Sequence, residues 1–171
     1  MAIKNKSILI IGPFPEPLFG VSLSNLVLEK GMKSRRIKVY RIDTSSGSNV
    51  QSAQGSWNFK KLSFIKNYFS LYKVFFVDVI YCTIGQTFFG VLKYAPFVFF
   101  AKVLRKSSVV HVKGGYLKDS YDKMGLLKKI IIKPILKAFS KGIVLSKSLK
   151  PLLEPFLEES RIFIQHNFVQ E

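Results

Sequence analysis

The chain has 171 residues, of which 48% are hydrophobic and 22% charged, so it is long enough and apolar enough to fold around a sizeable core. A single cysteine, Cys82, excludes a disulfide framework and a cysteine-based metal site, and two histidines argue against a multi-histidine metal site. The net charge of +17 favours an anionic partner, which is nucleic acid, anionic lipid or a phosphorylated ligand. The plain alternative is a well-solvated, lysine-rich surface.

Neither a signal peptide nor a membrane span is predicted. The N-terminus is basic and then apolar, but its apolar run ends after residues 8–11 at a glycine and prolines. The longest apolar region, residues 74–104, is interrupted by Asp78, Lys93 and Lys102. We therefore expect a cytoplasmic protein.

Short apolar runs alternate with longer helical patterns along the whole chain. The predicted strands are residues 7–12, 37–42, 77–83, 108–112, 142–146 and 161–165, and the predicted helices are residues 20–33, 59–76, 88–104, 123–139 and 147–157. This alternation predicts an α/β fold with a doubly wound parallel sheet, Rossmann-like in class. Near-continuous apolar strands suit a sheet that is covered on both faces.

Apolar spacing predicts which face of each helix is buried. Leu23, Leu26 and Val27, with the stem of Lys30, are expected to form the inner face of the first helix. In residues 59–76, steps of three and four residues predict one wide inner face, made of Leu62, Ile65, Phe69, Tyr72 and Phe76 and of Phe64, Tyr68, Leu71 and Phe75. Residues 123–139 predict a basic amphipathic helix with lysines at positions 129, 133 and 137.

Ligands of such sheets bind at the carboxyl ends of the strands, so the segments to inspect are residues 12–20, 43–46, 83–86 and 111–116, together with Ser146 and Asn167. The loop 12–20 lacks the close glycine spacing of a dinucleotide site, although Gly20 at a helix start favours an anion. A rigid strand-to-helix connection explains that loop equally well. Asp43 and Asp78 are predicted to be structural, and Ser146 and Ser148 to be helix caps.

His111 is the candidate catalytic residue, because it lies near the end of a predicted strand beside a cation and two glycines. Lys113 can meet phosphate or carboxylate, and Gly114 and Gly115 let a ligand approach the backbone. The alternative is a core histidine on an apolar strand.

Five stretches carry a resemblance to a known family, and they occur in the family's order. They are ILIIGPFPEP, the turn Phe19-Gly20-Val21-Ser22, VVHVKGG, GIVLSKSLK and RIFIQHNFV. The sequence resembles the N-terminal, acceptor-side domain of bacterial retaining glycosyltransferases of the GT-B type. It departs from that pattern at Phe19-Gly20, where Gly-Gly is common, and at Lys113, where a second histidine is frequent.

The resemblance implies a sugar or lipid-linked glycan acceptor, bound by residues 1–171 as one Rossmann-like domain, in cell-surface polysaccharide or lipopolysaccharide synthesis. It implies a catalytic role for His111 and substrate contacts for Gly20, Val21, Lys113, Gly114 and Gly115. The nucleotide-sugar donor would be bound by a second domain, absent from this chain and supplied in cis or in trans. No metal or cofactor is expected, and little activity is expected of this chain alone.

The apolar faces of the basic helices 59–76 and 123–139 are expected to cover the sheet, as in any doubly wound fold, and their lysines to face an anionic membrane. Together with the lipid-linked acceptors of the family that the sequence resembles, this implies a peripheral protein on the inner face of the cell membrane. The alternative class is a basic nucleic-acid-binding α/β module without catalysis. We predict no nucleic-acid partner, because most aromatic residues lie on apolar stripes rather than between basic residues.

Overall fold

The computed structural model describes residues 6–16, 18–45 and 59–166, and the side chains of residues 59–65 are outside that description. The chain packs as two compact units, Met1–Thr83 and Ile84–Glu171.

The first unit contains three parallel strands, β1 (Ser7–Gly12), β2 (Lys38–Asp43) and β3 (Val79–Thr83), in the order β2-β1-β3. Helix α1 (Gly20–Ser34) joins β1 to β2, and a 3₁₀ helix (Phe59–Phe76) precedes β3. Because β2 and β3 lie on opposite sides of β1, the chain reverses its direction across the strands. Right-handed crossovers then place α1 and the 3₁₀ helix on opposite faces, and the carboxyl ends of β1 and β3 form a topological switch point.

The second unit contains the parallel strands β4 (Ser107–Val112), β5 (Lys141–Val144) and β6 (Ile162–Ile164), in that order. Its helices are α2 (Phe88–Leu92), α3 (Ala95–Val103), α4 (Tyr116–Asp122) and α5 (Leu126–Lys137), with 3₁₀ helices at Lys147–Leu152 and Glu159–Arg161. The six strands among the described residues of the two units confirm the predicted Rossmann-like α/β class.

The predicted inner face of α1 is wrong. The buried residues of α1 are polar: Ser22, Ser24, Asn25 and Glu29, whereas Leu23, Leu26 and Val27 are half-buried and Lys30 is exposed. Glu29 is tied down by an ion pair with Lys33 at 2.6 Å. Buried polar side chains need hydrogen-bonding or ion-pair partners, and apolar periodicity does not detect a helix face built from them.

The predicted inner face of residues 59–76 is wrong at Phe69, Tyr72, Phe75 and Phe76, because this segment is a 3₁₀ helix. Tyr68 and Leu71 of that face are half-buried, as predicted, and the side chains of Leu62, Phe64 and Ile65 lie outside the described residues. With three residues per turn, side chains at i and i+3 lie in one row. One row points inwards through Tyr68, Leu71 and the fully buried Val74. The next row carries Phe69, Tyr72 and Phe75, which are 84%, 57% and 53% exposed. Phe76, 63% exposed, packs edge-to-face on Tyr72.

The helix predicted at residues 123–139 begins later, at Leu126, and the sequence did not indicate the separate helix α4 before it. Ile132, Ile135 and Leu136 form the buried face of α5, while Leu126 and Leu127 on another face are 75% and 78% exposed. No helix in the described ranges is long and apolar enough to span a membrane.

Candidate functional site

The predicted site residues fall into two groups, one in each unit. Gly20 and Val21 belong to the first unit, and His111 and residues 113–115 belong to the second. Asn167 lies outside the described residues.

A buried polar tie holds the carboxyl ends of β1 and β3 together. The Thr83 hydroxyl donates to Asn25 Oδ1 at 2.8 Å, and Asn25 Nδ2 donates to the Pro13 carbonyl at 2.9 Å. A Cβ built on Gly12 would lie 2.5 Å from both Asn25 Nδ2 and Thr83 Oγ1, so only glycine fits there. The tie fixes the point at which the chain leaves β1 for the loop to α1.

Asp43 fixes the same loop from the end of β2. Its Oδ1 accepts from the backbone N–H of Phe14 at 3.1 Å and from that of Ser45 at 2.8 Å. Its own backbone carbonyl accepts from Asn67 Nδ2 at 2.8 Å. These contacts agree with the structural role predicted for Asp43.

Gly20 is the first residue of α1 and is exposed, with no atom within 4 Å of a Cβ built on it. Val21, the next residue, is half-buried. Ser22 fixes the backbone at the start of α1. Its hydroxyl accepts a hydrogen bond from the Phe19 N–H at 3.0 Å and donates one to the Phe19 carbonyl at 2.9 Å. The Gly20 backbone is therefore accessible at a fixed helix start.

His111 lies on β4 opposite Ile143 of β5 and is fully buried. Burial, together with the positive charge of Lys113, lowers its pKa to about 3. The imidazole is therefore neutral at pH 7. Lys113 is half-buried directly after β4, and burial lowers its pKa as well.

The turn after β4 is held by Gln86, a residue that sequence reasoning placed only within a strand-end segment. Gln86 Oε1 accepts from the Leu117 N–H at 2.9 Å, in the first turn of α4. Gly114 has φ 152°, and a Cβ built on it would lie 2.5 Å from Gln86 Nε2. Gly115 has φ −97°, and a Cβ there would make ordinary contact with Leu149 at 3.6 Å. Gly114 is thus required by backbone and space, whereas Gly115 is required by neither.

Three residues that shape these strand ends were not among the predicted site residues: Asn25, Thr83 and Gln86. Asn25 carried a usable signal, since asparagine in the middle of a helix is a poor helix former and calls for a hydrogen-bonding role. Gln86 carried none beyond its place after β3.

The other candidate reactive side chains, a cysteine, an aspartate and two serines, are buried or make structural contacts. Cys82 is buried on β3, and burial raises the pKa of its thiol. Asp78 accepts from the N–H and the hydroxyl of Ser7 at 2.8 Å, in agreement with its predicted structural role. Ser146 stands at the N-cap position of the 3₁₀ helix Lys147–Leu152, but its side chain makes no capping hydrogen bond. Ser148 lies inside that helix, so its predicted role as a cap is wrong, and the two hydroxyls lie 2.8 Å apart. In the part of the chain that the structure describes, no three His, Cys, Asp or Glu side chains converge as metal ligands.

The fold and the strand-end geometry define an α/β, Rossmann-like protein. No protein-family model matches the sequence, and no curated protein matches it. Among solved structures, the chain is similar to the crystal structure of Acinetobacter baumannii MurG, with a TM-score of 0.44 and 13% sequence identity. The similarity covers 96% of this chain and 47% of that one, so this chain spans about half the length of that protein.

Proposed function

We propose that this chain is the acceptor-binding N-terminal domain of a retaining glycosyltransferase of the GT-B type. It would hold a sugar or lipid-linked glycan for transfer from a nucleotide-sugar, in the synthesis of cell-surface polysaccharide or lipopolysaccharide. The donor domain would act in cis or in trans, and no metal ion or cofactor would take part.

One observation carries the proposal. Each described stretch that resembles the family follows or ends a parallel strand of its own unit: the loop after β1, the turn after β4, and the segments after β5 and β6. Ligands of Rossmann-like sheets gather at carboxyl ends of strands. In each unit, the residues to which the resemblance assigns ligand contacts therefore lie beyond the carboxyl ends of strands, as that role requires.

Lys113, Gly114 and Gly115 are the proposed acceptor contacts. The turn exposes the Gly115 backbone, and Lys113 is half-buried beside it. A partly desolvated cation gains more from a phosphate than a fully hydrated one does, which supports Lys113 as a phosphate contact. Gly20 and Val21, at the start of α1, are proposed to approach the donor phosphate.

The catalytic role of His111 stays a prediction. Its side chain is fully buried and neutral at pH 7. We therefore propose that His111 positions the turn that carries Lys113 and does not act as a charged acid or base. The contact with the acceptor is then made by Lys113.

The test is binding of an alkyl-diphosphate-linked N-acetylglucosamine to the 171-residue chain, followed by calorimetry and by NMR. Lys113→Gln should weaken binding roughly ten- to hundredfold, as expected for loss of a charged hydrogen bond. Lys118→Gln is the matched control, because Lys118 is an exposed lysine on neighbouring α4. The expected shifts map to residues 113–117.

Two results would overturn the proposal. One is turnover of a sugar nucleotide by this chain alone, which would make it more than an acceptor domain. The other is absence of glycan binding together with tight oligonucleotide binding that falls steeply with salt, which would establish the nucleic-acid alternative.

A further inference from the structure

Helix α5 is apolar on two opposite faces. Ile132, Ile135 and Leu136 are buried against the rest of the second unit. The outward face, which we call the α5 outer face, consists of Leu126, Leu127, Ile130 and Ile131, which are 75%, 78%, 60% and 45% exposed. Four large neighbouring apolar side chains facing solvent mark an interaction surface rather than ordinary surface scatter.

Lysines surround the α5 outer face. Lys123, Lys128, Lys133 and Lys137 are exposed, and residues 123–139 contain no acidic residue. At 100° per residue, Lys133 and Lys137 continue the row of Leu126 and Ile130 towards the end of the helix, and Lys128 lies beyond Ile131 at the other edge. An apolar strip with a lysine border is the arrangement of helices that lie in a membrane interface.

The charge decides between occupants. A second copy packed through the same face would bring its own lysines against these, and like charges at an interface oppose association. An anionic bilayer instead offers phosphate groups to the lysines and acyl chains to the four apolar side chains. The sequence predicted that lysine alone would face lipid, and the structure adds an apolar face beside it.

We propose that the α5 outer face inserts into the interface of an anionic membrane, with its lysines at the level of the lipid headgroups. Insertion requires neither acceptor binding nor catalysis. Vesicle binding and acceptor binding are therefore independent, and the failure of one proposal would leave the other standing.

The experiment is sedimentation of the full chain with phosphatidylcholine vesicles, with and without phosphatidylglycerol. We expect binding to the anionic vesicles that weakens with added salt. Leu127→Gln combined with Ile130→Gln should reduce partitioning at least about tenfold, since both side chains lose their apolar insertion. Lys133→Gln combined with Lys137→Gln should reduce it roughly fivefold per lysine.

Matched controls separate this face from general surface changes. Val103→Gln removes a side chain that is 77% exposed at the end of α3, and Lys30→Gln removes an exposed lysine of α1. Both should leave vesicle binding unchanged. All substituted side chains are exposed, so the variants should fold, which circular dichroism checks.

Three outcomes would overturn the proposal. The first is no binding to anionic vesicles by a monomeric chain. The second is binding that the α5 variants leave intact. The third is a dimer, seen by sedimentation equilibrium, that Leu127→Gln with Ile130→Gln dissociates while vesicles are not bound, which would make the occupant a second copy.

Discussion

Gln86 Oε1 accepts a hydrogen bond from the Leu117 N–H at 2.9 Å, and Nε2 of the same amide lies 2.5 Å from the position that a Cβ on Gly114 would take. One side chain therefore fixes both the turn after β4 and the first turn of α4. Two of the proposed acceptor contacts, Lys113 and Gly115, flank the glycine on which this amide rests. The conformation of that turn therefore depends on Gln86 as well as on the residues of the turn.

Gly114→Ala should lower the free energy of unfolding by about 1–3 kcal/mol, because its φ of 152° is strained for any residue with a Cβ and because Gln86 Nε2 occupies the space. Gly115→Ala is the matched control, since its φ is −97° and its Cβ has room. Urea unfolding of the two variants measures the difference. Equal free energies of unfolding for the two variants would contradict the conclusion that only glycine fits at position 114.

Gln86→Leu should cost about 1 kcal/mol, because the Leu117 N–H loses its acceptor in a helix start that has no other side-chain cap. Gln86→Glu keeps an acceptor oxygen and adds a negative charge near the start of α4, so it should stay within about 0.5 kcal/mol of the parent. Chemical denaturation of both variants is the measurement. A Glu variant as unstable as the Leu variant would show that the hydrogen bond is not what matters.

Combining Gln86→Ala with Gly114→Ala separates space from backbone strain. Alanine at position 86 removes the amide that the new Cβ would meet, so Gly114→Ala should cost less in that background than in the parent. The cost that remains is the strain of the φ angle. Full additivity in the double-mutant cycle would mean that the two residues do not touch.

Thr83→Val should lower the free energy of unfolding by about 1–3 kcal/mol, since it keeps the shape of a buried side chain while Asn25 Oδ1 loses its donor. Adding Asn25→Leu should cost less than the sum of the two single changes, because the stranded oxygen is removed and the half-buried Pro13 carbonyl can reach water. The measurement is a double-mutant cycle in urea. A coupling energy near zero would contradict the hydrogen bond between Thr83 and Asn25.

The parallel strands were predictable because a buried strand is a short apolar run with few alternatives. The run at residues 7–12 has the observed bounds of β1, and the other five strands agree within two residues at each end. The α/β class followed from their alternation with helices. The position of His111 and Gly114 at the end of β4 followed from the same pattern.

The helix faces were not predictable from apolar spacing. In residues 59–76 a period of 3.6 residues groups Phe69 with Phe76, whereas the 3₁₀ geometry aligns Phe69 with Phe75 on an exposed row. In α1 the buried Asn25 is explained by a hydrogen bond made far along the chain, the one that it accepts from Thr83. The contact of Gln86 with Leu117, 31 residues away, likewise has no local signature.

Burial of His111 should make stability depend on pH. Its pKa is about 3 in the folded chain and 6.5 ordinarily, so the unfolded chain takes up a proton that the folded chain does not. This contribution is fully present above pH ~6.5 and is lost as the pH falls, at about 1.4 kcal/mol per pH unit, until pH ~3. Urea unfolding from pH ~7 to ~4 measures it.

His111→Gln should flatten that pH dependence, because glutamine does not titrate, although the variant starts from a lower stability at neutral pH. His166→Gln is the matched control, since His166 is exposed and its removal should leave the slope as it is in the parent. Carboxylates titrate in the same range, so the quantity to compare is the difference in slope between parent and variant. If that difference is zero, His111 takes up its proton in the folded chain as readily as in the unfolded one. Its imidazole would then be open to solvent and to a substrate. The proposal that His111 only positions the turn that carries Lys113 would fail.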